Sequence, residues 1–565
     1  MNNHLKKKYS SMYKYFTLLL ALCFSLSAFS QNYKTGMVVS AHPEASKVGV
    51  AILKQGGNAI DAAVAVEFAL AVVYPNAGNI GGGGFMVYRA SSGAVSALDF
   101  RETAPSKASR DMYLDKNGNP VSDLSQYGSL AVGIPGSVAG MVEAHAKYGK
   151  LAWRKLIEPA IQLASEGFHI TAMQASELNK HHDDFIKCNS TKTVFANEKQ
   201  WKAGDILKQT ELAKTLTLIK NKGRKGFYEG RTARLIVAEM NRGNGIVTLN
   251  DLKKYRAIWR EPVVGNYKNF KIITMPPSSS GGIALISLMK SVEPYPISKW
   301  GFQKDSTVRL MVEAERRIYA DRSTHLGDPD FNPIHQKELL NDKYIKDRMS
   351  SVSFDRATPS QEVKPGNLNG YESEQTTHFS IVDKDGNAVS ITTTLNGSYG
   401  SHVVVAGAGF LLNNEMDDFS IKAGFPNQYG LVGGLLNAIE PNKRMLSSMT
   451  PTILEKDGKL FLVVGSPGGS TIITTVFQTI LNVIEFGMPV QTAVNAARFH
   501  HQWLPDKVFV EDNAIPQNVR EHLSSTGYEI VPRDKIGRVD AVQITADGWL
   551  QGGADSRGDD AVSAY

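Results

Sequence analysis

An α+β fold is predicted from three observations. Helical patterning runs through residues 44–55, 58–74 and most of 137–350. Residues 378–394 instead alternate apolar and polar side chains on either side of Asp383-Lys384-Asp385-Gly386-Asn387, a hairpin signal. Over 565 residues, 42% hydrophobic and 21% charged side chains give the profile of a globular chain with a substantial core. The 50 Gly and 23 Pro show no fixed period, which excludes a collagen-like repeat. At about 150 residues per domain, the length admits three or four domains, or fewer large ones.

The net charge of +7 invites a nucleic-acid or membrane reading, but more than half of it sits in the first thirty residues. Lys6, Lys7, Lys8 and Lys14 precede an apolar run from Tyr15 to Phe29, with no acid before residue 31. A basic start, a short apolar stretch and small residues at Ala28 and Ser30 predict a secretory signal cleaved after Ser30. The run is shorter than the ~20 residues that span a bilayer, so no stable membrane anchor is expected. The expected location is periplasmic or secreted. Beyond the leader no dense Lys/Arg patch interleaves with aromatics, and nucleic acid is not an expected partner. Cleavage also removes Cys23 and leaves Cys188 alone, in a setting that offers nothing to activate a thiol.

Along the mature chain, Gly56-Gly57 separates two helices, 44–55 and 58–74. Asn58 and Asp61 have capping spacing, and Pro75 stops the second helix. That helix is apolar nearly all round and so is expected to be buried. Gly81–Gly84 then leads into the strand Phe85-Met86-Val87-Tyr88. Glycines before a strand are in the wrong order for a dinucleotide fingerprint, so they are read as positions of close backbone approach or positive φ.

Ser137 is read as the cap of a helix to Tyr148, and Thr248-Leu249-Asn250-Asp251 as a capping box. His181-His182 beside Asp183-Asp184 is read as a solvated polar stretch, because adjacent helical residues diverge. No cofactor or metal is expected. Neither the His-Glu-x-x-His pattern nor the G-x-S-x-G elbow occurs. Arg557-Gly558-Asp559 permits an adhesion reading, which the acidic neighbours Asp555 and Asp560 weaken by suggesting a turn.

Residues 352–375 form a polar connector that runs directly into a strand beginning Thr376-Thr377. A threonine hydroxyl is a weak nucleophile unless a base takes its proton, and its own α-amine can do so once the preceding peptide bond is cut. With a reference pKa of ~7.7–8.0, such an amine is already close to a working base. Threonines at strand starts are also commonly structural.

Five blocks resemble the γ-glutamyltranspeptidases in family order. They are Asp99-Phe100-Arg101-Glu102-Thr103-Ala104-Pro105, the run Glu374–Asn387, Asn413–Ser420, Leu446–Thr452 and Gly465–Ser470. The resemblance implies a four-layer αββα sandwich of the N-terminal nucleophile hydrolase type, two sheets between helical layers. It implies a precursor that cuts itself between Gln375 and Thr376. A leader 1–30 would precede a large subunit 31–375 and a small subunit 376–565, forming one co-folded heterodimer. Thr376 would then take the γ-glutamyl group of glutathione and related compounds and pass it to water or to an amino acid or dipeptide acceptor.

Site roles follow from the same resemblance. Thr394 orients the nucleophile, and the amides of Gly468 and Gly469 hold the oxyanion. A γ-glutamyl group carries an α-carboxylate and an α-ammonium, so its pocket needs both signs of charge. Arg101, Ser447 and Ser448 suit the carboxylate, while Glu415, Asp418 and Asn396 suit the ammonium. Residues 423–434, with Tyr429 at their centre, resemble a lid. Alternatives on this fold are an acylase for a glutaryl side chain and a depolymerase of poly-γ-glutamate.

Overall fold

The structure is a computed structural model and describes residues 33–364, 376–422 and 435–565. The expected leader 1–30, Gln375 and the lid with Tyr429 lie outside the described residues.

Two antiparallel sheets make the framework. The first has seven strands in the spatial order Ala561–Ala564, Met37–Ser40, Thr377–Val382, Ala388–Thr394, Gly83–Arg89, Val95–Asp99 and Ile258–Arg260. The second has six, in the order Leu550–Ala554, Asp540–Ile544, Lys459–Gly465, Thr452–Lys456, Phe270–Thr274 and Val263–Tyr267. Both sheets draw strands from before and from after the Thr376 junction.

Period-two patterning decides which face each side chain takes. Phe379, Ile381, Val389 and Ile391 join one core, shared with the helices Pro43–Lys54, Ala59–Val73, Ser137–Tyr148 and Trp153–Glu166. Met37, Val39, Phe85, Val87 and Val382 face the other way, into a core with the second sheet and the helices Gly281–Val292 and Thr471–Ile484. Between the sheets the face is partly polar. The Ser380 hydroxyl donates to the Asp540 carbonyl at 3.0 Å, and the Ser390 hydroxyl to the Val464 carbonyl at 3.2 Å. The result is helix, sheet, sheet, helix: the αββα sandwich.

Helix Ala59–Val73 is buried along its whole length, as its all-round apolar pattern requires. Asn58 and Asp61 form the capping box, and Asp61 also accepts from the amides of Lys150 and Leu151. Thr248 and Asp251 form the second box. Two local expectations fail. Gly136, not Ser137, occupies the cap, because the Ser137 hydroxyl is committed to Asn79 Oδ1 at 2.7 Å. The stretch 137–350 also contains three sheet strands between residues 258 and 274. Each is only three to five residues long; Ile258–Arg260 and Phe270–Thr274 pair with distant strands and Val263–Tyr267 pairs with the latter, where local periodicity is too short to register.

Glu67 is the one acid in the buried body of that helix beyond its cap, and it accepts from the Thr393 hydroxyl at 2.9 Å. Burial pushes its carboxyl up to about 8, so it is protonated in the folded chain at neutral pH. The folded state then holds a proton that the unfolded chain has lost, and stability falls as pH rises from about 5 to about 8. Glu67→Gln is expected to flatten that slope and open a gap over wild type of roughly 5 °C by pH 9. Thermal melts of the two proteins from pH 5 to 9 check this, and parallel curves would refute it.

Candidate active site

Thr376 sits directly before the strand Thr377–Val382 and is 8% exposed. Thr377 pairs with Thr393, so the next step of the same register sets Thr376 opposite Thr394. Thr376 opens on a cavity of about 320 Å³, whose lining includes Gly468, Tyr399, Arg538, Arg557 and Asp559. Arg533 and Lys535 add to a mostly cationic wall, with Glu177 and Asp559 the acids.

Across the cavity the chain turns at Pro467-Gly468-Gly469 into the helix Thr471–Ile484. Gly468 has φ 126° and Gly469 φ 62°, conformations that L side chains rarely adopt. A Cβ on Gly468 would also lie 2.6 Å from Thr471 Oγ1 and 2.9 Å from the Gly537 Cα. Glycine is therefore required at Gly468 by both conformation and space. The turn presents backbone N–H groups at a helix N-terminus, where partial positive charge gathers.

Thr394 is locked from the opposite side. Its carbonyl accepts from Asn79 Nδ2 at 2.8 Å, and its hydroxyl accepts from the Asn396 amide at 2.7 Å. The run Gly81–Gly84 packs beneath it, and of the two expectations for these glycines, close approach is the one realised. A Cβ on Gly82 would stand 1.9 Å from the Thr394 oxygen, and one on Gly81 2.0 Å from the Leu411 oxygen.

Below Thr394 lies a closed cluster around Arg101, which is 1% exposed. Its guanidinium meets Glu415 at 2.6 Å, ion-pairs with Asp418 and lies 3.6 Å from Glu102. It also donates to the Met445 and Leu446 carbonyls, directly before Ser447-Ser448. Three buried carboxyls thus share one cation. Burial pushes Glu415 and Glu102 up to about 8, against the pull of Arg101, and holds Asp418 well above the usual carboxylate range. Asn396 adopts φ 72° and donates to the Asn414 carbonyl at 3.1 Å. The Ser447 hydroxyl accepts from the Met449 amide at 3.2 Å, and the Ser448 hydroxyl accepts from Arg322 at 2.5 Å.

The residues expected from the sequence therefore fall into two linked groups. Thr376 and Gly468 face the cavity, while Arg101, Glu415 and Asp418 form a cluster reached through Thr394 and Asn396. Sequence reading passed over Glu102, Asn79 and Tyr399. Glu102 adjoins Arg101 and Asn79 immediately precedes the glycine run, so both lay within reach of it. Tyr399 is brought to the cavity only by the fold.

Two surface readings are corrected. Arg557 of the Arg-Gly-Asp triplet pairs with Glu511 and Asp555, and Asp559 accepts from the Thr171 hydroxyl at 2.6 Å. The triplet is held in place by these partners instead of standing free as an attachment loop. The stretch His181–Asp184 is only half solvated. Asp183 is fully exposed, but His181 and Asp184 turn toward His402, which the fold delivers from beyond the junction.

A strand-borne threonine behind a connector, a facing turn of glycine amides and the αββα framework define an N-terminal nucleophile hydrolase. The family model described as Gamma-glutamyltranspeptidase matches residues 45–565, and the chain belongs to that family. It is 47% identical over 535 residues to a glutathione hydrolase proenzyme of Escherichia coli, covering 94% of this chain and 92% of that one. The solved γ-glutamyltranspeptidase of Helicobacter pylori is 46% identical, with a TM-score of 0.58, over 60% of this chain and 97% of that one. The cephalosporin acylase of Bacillus halodurans shares the fold at a TM-score of 0.84 and 26% identity, over 95% and 96% of the two chains.

Proposed function

We propose that the chain is a self-cleaving γ-glutamyltranspeptidase and glutathione hydrolase. The observation that carries this is the pairing of a strand-initial Thr376 with a buried Arg101–Glu415–Asp418 cluster, two signs of charge suited to one zwitterionic head. Family membership and 47% identity to a glutathione hydrolase favour this over an acylase, for which the identities are 34% and 26%.

In this reading the Thr376 hydroxyl attacks the Gln375 carbonyl, and water hydrolyses the resulting ester, leaving Thr376 with a free α-amine. That amine then takes the hydroxyl proton as Thr376 attacks the γ-carbonyl of the substrate. The negative charge developing on the carbonyl oxygen falls to the amides of Gly468 and Gly469, each donor worth roughly 2.7–4 kcal/mol in a dry site. The leaving amine departs with a proton, and water or an acceptor amine releases the γ-glutamyl group. Arg101 exchanges a carboxyl partner for the substrate carboxylate, and the freed carboxyls receive the ammonium. The cationic cavity wall suits the second carboxylate of a peptide such as glutathione. We place the enzyme outside the cytoplasm, on the leader.

The test is hydrolysis of a γ-glutamyl anilide against a glutaryl anilide, which lacks the α-ammonium. Preference for the γ-glutamyl compound is expected, and equal or reversed rates would overturn the reading. The cluster also predicts a pH effect. With Glu102 and Glu415 protonated up to about 8, binding an ammonium expels protons, so KM falls as pH rises from 6 to 8. One expelled proton amounts to a tenfold fall per pH unit well below that value, so a fall of roughly fiftyfold across that range is expected. Glu415→Gln should flatten the profile, and a pH-independent KM in wild type would refute the assignment.

A further inference from the structure

From the cluster of His181, Asp184 and His402 we infer a zinc-type metal site joining the two sides of the Thr376 junction. His181 is the residue between the adjoining helices Ala172–Lys180 and His182–Cys188, Asp184 lies in the second of them, and His402 comes from the loop after strand Ala388–Thr394. His181 Nδ1 lies 3.0 Å from Asp184 Oδ2 and 3.1 Å from His402 Nε2, and the third edge, His402 Nε2 to Asp184 Oδ2, is 3.7 Å. A tetrahedral ion with ligands at about 2.0–2.1 Å needs donor atoms roughly 3.3 Å apart, and the three edges bracket that value.

Without an ion the contacts compete. His181 Nδ1 faces both a carboxylate oxygen, which wants a proton from it, and a second imidazole nitrogen. A single proton on Nδ1 cannot serve both at good geometry. A cation at the centre accepts a lone pair from all three.

The surroundings hold the ligands in position. The Asn189 side chain donates to the His402 carbonyl at 2.8 Å and accepts from the Val404 amide at 2.8 Å, fixing the loop at a His402 φ of 60°. Tyr127 stacks on the His402 ring at 5.6 Å, and Tyr399 meets the His181 ring edge-on at 5.5 Å. The other His181 nitrogen, Nε2, is buried without a hydrogen bond and lies 3.8 Å from a Glu177 carboxylate oxygen. That acid is placed to favour the tautomer that leaves Nδ1 as a donor to metal. Two imidazoles and one carboxylate suit Zn²⁺ or Co²⁺ over Mg²⁺ or Ca²⁺, which take oxygen ligands. Side-chain exposures of 15% at His181 and 35% at Asp184 leave a fourth position open to water.

The ion would fasten a wall of the active-site cavity, since Tyr399 and Glu177 line it. It would also tie the residues before the junction to those after it. That tie between two chains rests on the proposed self-cleavage, whereas metal binding does not.

The test is titration of untagged, metal-stripped protein with Co²⁺, read by the visible d–d absorption of a tetrahedral site, followed by Zn²⁺ displacement. One equivalent is expected to saturate the band, and Zn²⁺ to abolish it and raise the melting temperature. His402→Gln and Asp184→Asn should each weaken binding at least tenfold, on the order found for disturbed metal ligation, while the control His182→Gln binds as wild type. Asp184→Asn keeps the test sound if the buried His402 variant fails to fold. Uncut Thr376→Ala should bind as wild type, which separates failure of this site from failure of self-cleavage. No Co²⁺ band in wild type, or unchanged affinity in Asp184→Asn, would overturn the inference.

Discussion

Thr376→Ala is expected to accumulate as one uncut chain and to lose γ-glutamyl hydrolysis by at least roughly 10⁴-fold. The size follows from removing a nucleophile whose partners act with it as a unit. The variant is also expected to fold. Thr376 stands before its strand, so the ladder from Thr377 to Val382 and both cores are untouched. Losing the hydroxyl and the Cγ2 methyl from a residue that faces a cavity leaves no packed void. A denaturing gel with intact masses, a γ-glutamyl anilide assay and a melting curve check the three expectations together. Thr376→Ser keeps a hydroxyl and should still cut, more slowly or faster according to how the smaller side chain sits. If the alanine variant splits at the same bond, Thr376 is not the residue that cuts.

Arg101→Ala should raise KM for γ-glutamyl substrates by at least about a hundredfold, the loss expected when a buried charged hydrogen-bond partner costs roughly 3–5 kcal/mol. The same deletion strips the cation from Glu102, Glu415 and Asp418, which are already driven toward the neutral form by burial. The variant should therefore also melt lower, and increasingly so as pH rises and those carboxyls try to ionise. Arg101→Lys restores a charge but not the two-pronged reach to Glu415 and Asp418, so it should recover stability more than KM. Steady-state kinetics and melts at pH 6 and pH 8.5 separate the two effects. A KM unchanged in Arg101→Ala would remove the residue from the substrate site.

Much of the molecule was legible because its signals are local. The boxes at Asn58 and Thr248 and the hairpin around Gly386 each depend on residues a few positions apart. The three strands between 258 and 274 were not legible, because two of them pair with partners more than a hundred residues away and the third, Val263–Tyr267, is an edge strand hung on one of those two. The Gly468-Gly469 turn lay between these cases. Its residue types were visible, but its aim at Thr376 depends on two sheets stacking.

By itself the sequence determined the α+β class, the family and the chemical kinds of residue at the site. It did so because nucleophile, glycines and charged head-binding residues each lie in short runs. Tertiary structure alone decided that Arg101 is shared by three buried carboxyls, which moves their proton affinities far from those of exposed acids. It alone set His402 against His181 across more than two hundred residues, turning a polar stretch into a metal-binding geometry. The leader made the charge excess look like a binding surface. In the folded chain the charges that matter are the buried few, whose effect depends on neighbours and dielectric more than on number.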